Sequence, residues 1–110
     1  MKLIRGIVRP DRVDAVLDAL VRLDVSGLTM REVRGHGRQM GHPAVYRGRH
    51  KAVTLLPKVE IDVVVPNDVV ERTGGAIMRA ARTGDIGDGR VFVLPVGQGY
   101  RISTGKLERD

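Results

Sequence analysis

The 110-residue sequence contains no cysteine and no tryptophan, and one phenylalanine and two tyrosines are its only aromatic residues. The lack of cysteine excludes disulfide bonds, thiolate nucleophiles and zinc sites built on thiolates. Long apolar runs are also missing, whereas a membrane-spanning helix needs about 20 apolar residues and a signal peptide about 7–15. We therefore expect one cytoplasmic domain covering residues 1–110, packed mainly by aliphatic side chains that include 17 valines.

Acidic residues are absent from one long stretch. Between Glu32 and Glu60 there is no Asp or Glu, whereas the rest of the chain balances 13 basic against 13 acidic residues. The net charge of +6 therefore lies in this stretch, on Arg34, Arg38, Arg47, Arg49, Lys51 and Lys58. The layout fits either a solvated basic loop or a loop that binds an anion or docks on a partner.

Periodic apolar residues predict four strands and two helices. The strands are expected at residues 3–9, 28–35, 58–65 and 91–96. Helical spacing gives one apolar face of Val13, Val16, Leu17, Leu20 and Val21, and a second of Val70, Ile77 and Ala81. Thr83 and Gly84 are expected to close the second helix as a C-cap pair.

A faint internal repeat relates the two halves of the chain. The segment VRPDRV at residues 8–13 recurs as VVPNDV at residues 64–69, an offset of 56. Two copies of strand, proline, helix and strand predict an α+β fold, a ferredoxin-like βαββαβ sandwich with both helices on one face of the sheet. Apolar residues on the other face, such as Val64 and Phe92, favour coverage by a partner subunit.

Two glycine-containing segments are candidate anion sites. The segment TGDIGDGR at residues 83–90 follows a helix, so it is not a Walker A or Rossmann loop, both of which precede one. It fits either a plain turn or a nest of backbone N–H groups assisted by Arg90. The segment GHGRQ at residues 35–39 ends a strand in the same style, and Gln39 offers an oxygen to a hard cation.

Other chemistries have weaker support. His36, His42 and His50 lack helical spacing and nearby acids, so a metal site built on them is not favoured. No serine, histidine and acid combination points to a catalytic triad. Nucleic acid is not expected as a partner, because an RNA-binding sheet needs stacking aromatics on its central strands, whereas the fourth predicted strand offers only Phe92 and the second offers none.

Taken together, six blocks closely resemble the PII nitrogen-regulatory signal proteins over nearly the whole chain. They are GHGRQMGH (35–42), YRG (46–48), LPKV (56–59), VVVP (63–66), AARTGDIGDGR (80–90) and TG (104–105). The resemblance implies a homotrimer with a long T-loop at about 37–55, a B-loop at about 82–90 and a C-loop at about 97–110. It also implies ATP or ADP bound between adjacent subunits.

The resemblance also implies a role for individual residues. Nucleotide-binding residues would be Thr29, Gly37, Arg38, Gln39, Val64, Gly87, Asp88, Gly89, Arg90, Arg101 and Ser103. Gln39 and Lys58 would hold 2-oxoglutarate, and Gln39 would bind Mg²⁺ together with the ATP phosphates. Tyr46, Arg47, Arg49 and Lys51 would contact a partner, namely an ammonium transporter or a nitrogen-metabolism enzyme, so membrane association would occur only through a transporter.

Several positions depart from the family pattern. Lys51 stands where many bacterial members carry the uridylylated tyrosine, and Arg49 replaces a serine that other members phosphorylate. Ser103 replaces a phosphate-binding arginine, Arg90 a lysine, and Asp62 a glutamate. Loss of one guanidinium is expected to weaken triphosphate binding by about 1.5–3 kcal/mol.

The leading hypothesis is a regulator without catalytic residues that senses ATP or ADP and 2-oxoglutarate and acts through its T-loop. The alternative is a ligand-independent protein- or RNA-binding module on the same fold. A third hypothesis is a small phosphatase-like enzyme.

Overall fold

The computed structural model describes residues 1–25, 27–36 and 55–108, together with the backbone of residues 45–46 and 49–50. In chain order its elements are β1 (Lys2–Val8), α1 (Val13–Arg22), β2 (Leu28–Gly35), β3 (Val45–Tyr46), β4 (Arg49–His50), β5 (Leu56–Val65), α2 (Val70–Ala81), β6 (Gly89–Pro95), β7 (Gly99–Tyr100) and β8 (Leu107–Glu108). The long elements follow the order βαββαβ, which confirms the predicted α+β, ferredoxin-like fold.

The four long strands form one antiparallel sheet in the order β2-β5-β1-β6. In the register, Ile4 of β1 lies opposite Val63 of β5 and Val93 of β6. Successive side chains of a strand point to opposite faces, so this register places one apolar row across the sheet. Both helices pack on that face, as the sequence pattern predicts.

The hydrophobic core lies between the sheet and the two helices. Gly6 lies in β1, and a Cβ at this position would lie 3.2 Å from Cγ2 of Ile77. The missing side chain lets α2 approach the centre of the sheet. The buried core residues are Ile4, Val8, Val16, Leu20, Ile61, Val63, Val65, Ile77 and Ala81. Within the described residues, neither helix is long and apolar enough to cross a membrane.

The helix predictions need two corrections. Val21 is 68% exposed rather than part of the core face, because the buried face is centred on Val16 and Leu20 and residue 21 lies about 100° or more around the helix from that centre. The second helix ends at Ala81, and Arg82 at its end has extended backbone angles. Gly84, with φ of 92°, lies in the following loop and does not cap the helix.

The internal repeat is also shifted by one residue. Each half runs from a strand through a 3₁₀ turn into an α-helix, and the two helices begin at Val13 and Val70, an offset of 57. Arg9, rather than Pro10, is therefore equivalent to Pro66, and both have extended backbone angles. The predicted offset of 56 matched the prolines by identity, whereas the buried alternation of the strands sets the true equivalence.

The second face of the sheet is open in the single chain. Val64 is 47%, Phe92 44% and Leu94 37% exposed on it. Charged side chains of β1, β2 and β5 share this face. These three apolar side chains are the surface on which the sequence predicts a partner subunit.

Candidate functional site

A cavity of about 520 Å³ opens where the loop after α2 and the start of β6 meet the ends of β1 and β2 and the start of β5. It is lined by Ile7, Gly35, His36, Lys58, Asp85, Ile86, Gly87, Asp88, Gly89, Arg90 and Phe92. Five residues predicted from the sequence, namely Lys58 and residues 87–90, therefore meet in one place. Ile7 and His36 line the cavity without having been predicted as site residues.

The loop between α2 and β6, residues 82–88, is organised around the carboxylate of Asp88. One oxygen of this carboxylate accepts hydrogen bonds from the N–H groups of Thr83, at 2.9 Å, and Gly84, at 3.0 Å. The other oxygen accepts one hydrogen bond from the Thr83 hydroxyl and a second, of 3.0 Å, from Nε of Arg9. The Thr83 hydroxyl oxygen in turn accepts a hydrogen bond from the Asp85 N–H. The loop is thus a hydrogen-bonded unit, which the simple turn interpretation did not include.

These donors lower the pKa of Asp88 well below its usual range. The Thr83 hydroxyl hydrogen bond is the largest cause, and the backbone N–H groups of Thr83 and Gly84 and the Arg9 side chain add to it, whereas desolvation opposes them. The carboxylate is therefore charged and oriented within its own loop. Asp88 lines the cavity, but its side chain supports the loop, so contact between Asp88 and a phosphate would involve its backbone.

Gly89 is required where the loop enters β6. Its φ is +100°, and a Cβ built there would lie only 1.7 Å from the carbonyl oxygen of Ile7 in β1. Gly87 also has a positive φ, of 101°. Glycine is the residue that adopts such angles without a steric penalty and lets another backbone approach. The two glycines therefore fix the course of the backbone along the cavity wall.

Lys58 is the buried cation of the cavity. Lys58 is 8% exposed, and its Nζ donates a 2.5 Å hydrogen bond to the carbonyl oxygen of Gly87. Burial lowers the pKa of Lys58, the positive charge of Arg9 lowers it further, and Asp88 partly offsets the shift. Because Lys58 and Arg90 line one cavity, it presents two cationic side chains to an anion.

Arg9 was not predicted as a site residue. It follows β1 directly, and besides its bond to Asp88 its Nη2 donates a 2.7 Å hydrogen bond to the carbonyl oxygen of Ile86. The sequence signal for it was weak, because an arginine after a strand is ordinary. Its equivalence to Pro66 in the repeat becomes visible only with the offset of 57.

Other predicted nucleotide residues lie elsewhere in the chain. Thr29 of β2 is opposite Asp62 of β5, and Val64 is two residues further along β5. A strand advances about 3.3 Å per residue, so Asp62 and Val64 lie about 13 and 20 Å along β5 from Lys58. Thr29 and Val64 do not line the cavity.

Arg101 and Ser103 belong to the C-terminal segment. β7 and β8 pair as a short hairpin, and residues 101–106 connect them. Arg101 forms a 2.9 Å ion pair with Glu108, with 64% of its side chain exposed, and Ile102 at the tip is 99% exposed. Neither Arg101 nor Ser103 lines the cavity of the same chain.

Several predicted residues fall outside the described part of the chain. They are Gly37, Arg38, Gln39, Arg47 and Lys51. For Tyr46 and Arg49 only the backbone is described, and the two residues face each other in the β3–β4 pair. Among residues 1–25, 27–36 and 55–108, no three His, Asp or Glu side chains form a group able to hold a metal ion.

A charged network crosses the open face of the sheet. Arg5 donates two 3.0 Å hydrogen bonds to Asp62 and lies 3.5 Å from Glu60. Arg31 lies 2.6 Å from Glu60, which is only 7% exposed. Asp62 thus pairs with Arg5 of the neighbouring strand.

The structure combines a ferredoxin-like sheet with a glycine-containing loop beside a cavity that Lys58 and Arg90 line. A family model described as "Nitrogen regulatory protein P-II" matches residues 1–106. The chain belongs to this family.

Its relatives match over nearly their full length. A protein named "Nitrogen regulatory protein P-II" from Cereibacter sphaeroides is 47% identical over 110 residues, covering 100% of this chain and 98% of the relative. "Nitrogen regulatory protein P-II 1" from Escherichia coli K12 is 46% identical over 106 residues, covering 96% and 95%. "Nitrogen regulatory protein P-II" from Rhizobium etli is 42% identical over 110 residues, covering 100% and 98%. Members of this family are regulators, so the chain is a regulatory protein and not an enzyme.

Proposed function

We propose that the chain senses ATP or ADP together with 2-oxoglutarate and regulates nitrogen metabolism as a homotrimer. The observation that carries the proposal is the division of the predicted nucleotide residues into two separated groups. Lys58 and Arg90 line one cavity with the glycine loop. Thr29, Val64 and Arg101 do not line this cavity and lie elsewhere on the same chain. This division supports a nucleotide site that is completed by a second copy.

The cavity has the donors that a polyphosphate needs. Lys58 supplies an ammonium group and Arg90 a guanidinium group, and the backbone of Gly87 lies between two anchored residues. Charged donors form the stronger hydrogen bonds to phosphate oxygens, and arginine adds a bidentate geometry. The adjacent subunit would supply Arg101 to the phosphates and Thr29 and Val64 to the adenine.

The second effector would bind beside the nucleotide. Lys58 is a compact point charge suited to a carboxylate of 2-oxoglutarate. Gln39 and the ATP phosphates would hold Mg²⁺, whose preferred ligands are oxygen atoms. Calorimetry with ATP, ADP and 2-oxoglutarate, with and without Mg²⁺, tests whether 2-oxoglutarate binding depends on the nucleotide and the metal ion. We expect 2-oxoglutarate to bind only when Mg²⁺ and ATP are both present.

A subunit-mixing experiment tests the divided site directly. Arg90→Ala removes a donor from the cavity, and Arg101→Ala removes one from the C-terminal hairpin. Each variant trimer is expected to lose ATP affinity at all its sites. When the two variants are unfolded together and refolded in equal amounts, each mixed trimer regains one intact site, which is about one site in four overall.

The mixing result separates the alternatives. Recovery of tight ATP binding near this stoichiometry supports the shared site, whereas no recovery contradicts it. If the unmodified chain binds no nucleotide at millimolar concentration, the sensor proposal is wrong. Salt-sensitive RNA binding, together with no effect of Arg38→Ala or Arg101→Ala on nucleotide binding, would favour the ligand-independent module.

Output is assigned to the T-loop, residues 37–55. Its basic residues Arg47, Arg49 and Lys51 would contact an ammonium transporter or a nitrogen-assimilation enzyme in the cytoplasm. Arg47→Ala is expected to abolish capture of the chain by membranes containing an ammonium transporter while leaving ATP binding intact. Equal capture of Arg47→Ala and the unmodified chain would contradict this assignment.

A further inference from the structure

We propose that Arg9 is a positioning residue for the anion-binding loop: it orients the backbone at Gly87 toward the cavity without contacting the ligand. The proposal rests on the proposed function, because it gives the loop conformation a role in phosphate binding. Arg9 contacts the loop on both sides of Gly87. Its Nη2 donates to the Ile86 carbonyl at 2.7 Å and its Nε donates to Asp88 at 3.0 Å.

The contact with Ile86 sets the direction of one peptide group. The Ile86 carbonyl and the Gly87 N–H belong to the same peptide, and no peptide bond among the described residues is cis. In a trans peptide these two groups point in opposite directions. Because the carbonyl points to Arg9, the N–H of Gly87 points away from Arg9.

The position of Arg9 relative to the cavity shows which way the Gly87 N–H points. Ile86, Gly87 and Asp88 line the cavity, whereas Arg9 does not. Arg9 therefore holds the loop from behind, and the Gly87 N–H is directed to the opposite side. On the next peptide, the Gly87 carbonyl accepts a hydrogen bond from Lys58. Arg9 and Lys58 together fix the two peptide planes that meet at Gly87.

Arg9 also completes the hydrogen bonding of Asp88. The Asp88 carboxylate gathers Thr83 and Gly84, and its bond to Arg9 ties this whole unit to the end of β1. The Arg9 side chain is 28% exposed and the Asp88 side chain 23%, so the pair is partly protected from solvent. Loss of Arg9 would release the loop from β1 at both of its contacts.

Two nitrogens of one guanidinium make these contacts, and this distinguishes positioning from charge. Lysine would keep the positive charge near the cavity, but its single nitrogen at the end of a flexible chain does not reproduce the fork. A role through charge alone therefore predicts that Arg9→Lys behaves like the unmodified chain. A positioning role predicts that Arg9→Lys is impaired.

The experiment compares ATP with adenosine on the full-length chain. We expect Arg9→Gln to weaken ATP binding about tenfold or more, as for loss of one charged hydrogen bond, while adenosine affinity stays within about twofold because adenosine carries no phosphate. The ATP affinity of Arg9→Lys should lie between that of Arg9→Gln and that of the unmodified chain. Arg72→Gln, the same substitution on the exposed side of α2, is the matched control and should bind ATP normally. Chemical shifts of the Gly84, Gly87 and Gly89 amides report the loop conformation without ligand.

The outcomes separate this proposal from the function on which it rests. Normal ATP binding by Arg9→Gln and Arg9→Lys would overturn the role of Arg9 and leave the nucleotide sensor intact. Equal loss of ATP and adenosine binding would show general structural damage and would also overturn it. Absence of ATP binding by the unmodified chain would reject the sensor function, and the positioning role with it. A selective ATP defect with altered glycine amide shifts would support it.

Discussion

Replacement of Gly89 by alanine tests the contact between the loop and β1 most directly. A Cβ at this position would lie 1.7 Å from the Ile7 carbonyl oxygen, and φ is +100°. The carbonyl belongs to the central strand β1, so neither partner can move as a flexible side chain could. The backbone must shift at the wall of the cavity for alanine to be accommodated.

Two other glycines allow the effect to be divided into its causes. Gly84 has φ of +92° with nothing within 4 Å of an added Cβ, so Gly84→Ala introduces backbone strain without a clash. At Gly97 the space around the added Cβ is also open, and its φ is not positive. Gly97→Ala therefore introduces neither strain nor a clash.

The expected magnitudes follow this order. Gly97→Ala should change the free energy of unfolding by less than about 1 kcal/mol, and in the stabilising direction, because alanine restricts the unfolded chain. Gly84→Ala should destabilise by about 1–3 kcal/mol, the range for a residue held in a sparsely populated backbone region. Gly89→Ala should destabilise by more than Gly84→Ala, because the clash adds to the strain.

Urea denaturation of the three variants at equal protein concentration measures these differences in the free energy of unfolding. Titration with ATP measures whether the cavity still binds the nucleotide. We expect weakened ATP binding only for Gly89→Ala and, to a smaller extent, Gly84→Ala. If Gly89→Ala and Gly84→Ala were equally stable, the predicted clash between a side chain at residue 89 and β1 would be contradicted.

Three further predictions concern the core, the acid response and the open face. Ile77→Ala should lower the free energy of unfolding by about 2–5 kcal/mol because Ile77 is fully buried, whereas Val21→Ala, at a position 68% exposed, should change it by less than about 0.5 kcal/mol in the same urea assay. The folded-state pKa of Asp88 is lowered, so its contribution is present above the unfolded carboxyl pKa of about 3.9 and is lost as the pH falls through the folded value. The stability gap between the unmodified chain and Asp88→Asn should therefore shrink below about pH 4, and a constant gap from pH 7 to pH 2 would refute the assignment. Glu60→Gln should destabilise by about 1–3 kcal/mol because the carboxylate is buried with charged partners. Arg31→Ala should cost less than about 1 kcal/mol because its side chain is 64% exposed, and a larger loss for Arg31→Ala would reverse this order.

Local patterns predict the fold well because they report which face of each element is buried. In β5, the alternation of Val59, Ile61, Val63 and Val65 correctly predicts the core face, and three of these four side chains are 5% exposed or less. The same alternation predicts a polar opposite face but says nothing about its neighbours. Glu60 is buried there because the register brings Arg31 opposite it, and register is not readable from one strand.

The candidate site is only half predictable for the same reason. Glycines and arginine in the segment of residues 83–90 fit either a plain turn or an anion nest, and Gly87, Gly89 and Arg90 of this segment line the cavity. The internal bonds of the loop depend on groups five residues apart in sequence, and its anchor, Arg9, is separated from Asp88 by 79 positions. No periodicity connects such partners. Thr83 and Gly84, predicted to cap a helix, instead donate their N–H groups to Asp88.

The hydrogen bond from Lys58 to the Gly87 carbonyl has a consequence for how an anion is received. An ammonium group has three N–H donors, and among the described residues Lys58 uses one of them on this carbonyl. Its side chain is thus already confined before any ligand arrives, and the rotational entropy of a long flexible cation has been lost during folding rather than during association. If the proposed function is correct, Lys58 would therefore be a preorganised receptor, and its other N–H donors would bind a carboxylate or phosphate while the first still holds the loop.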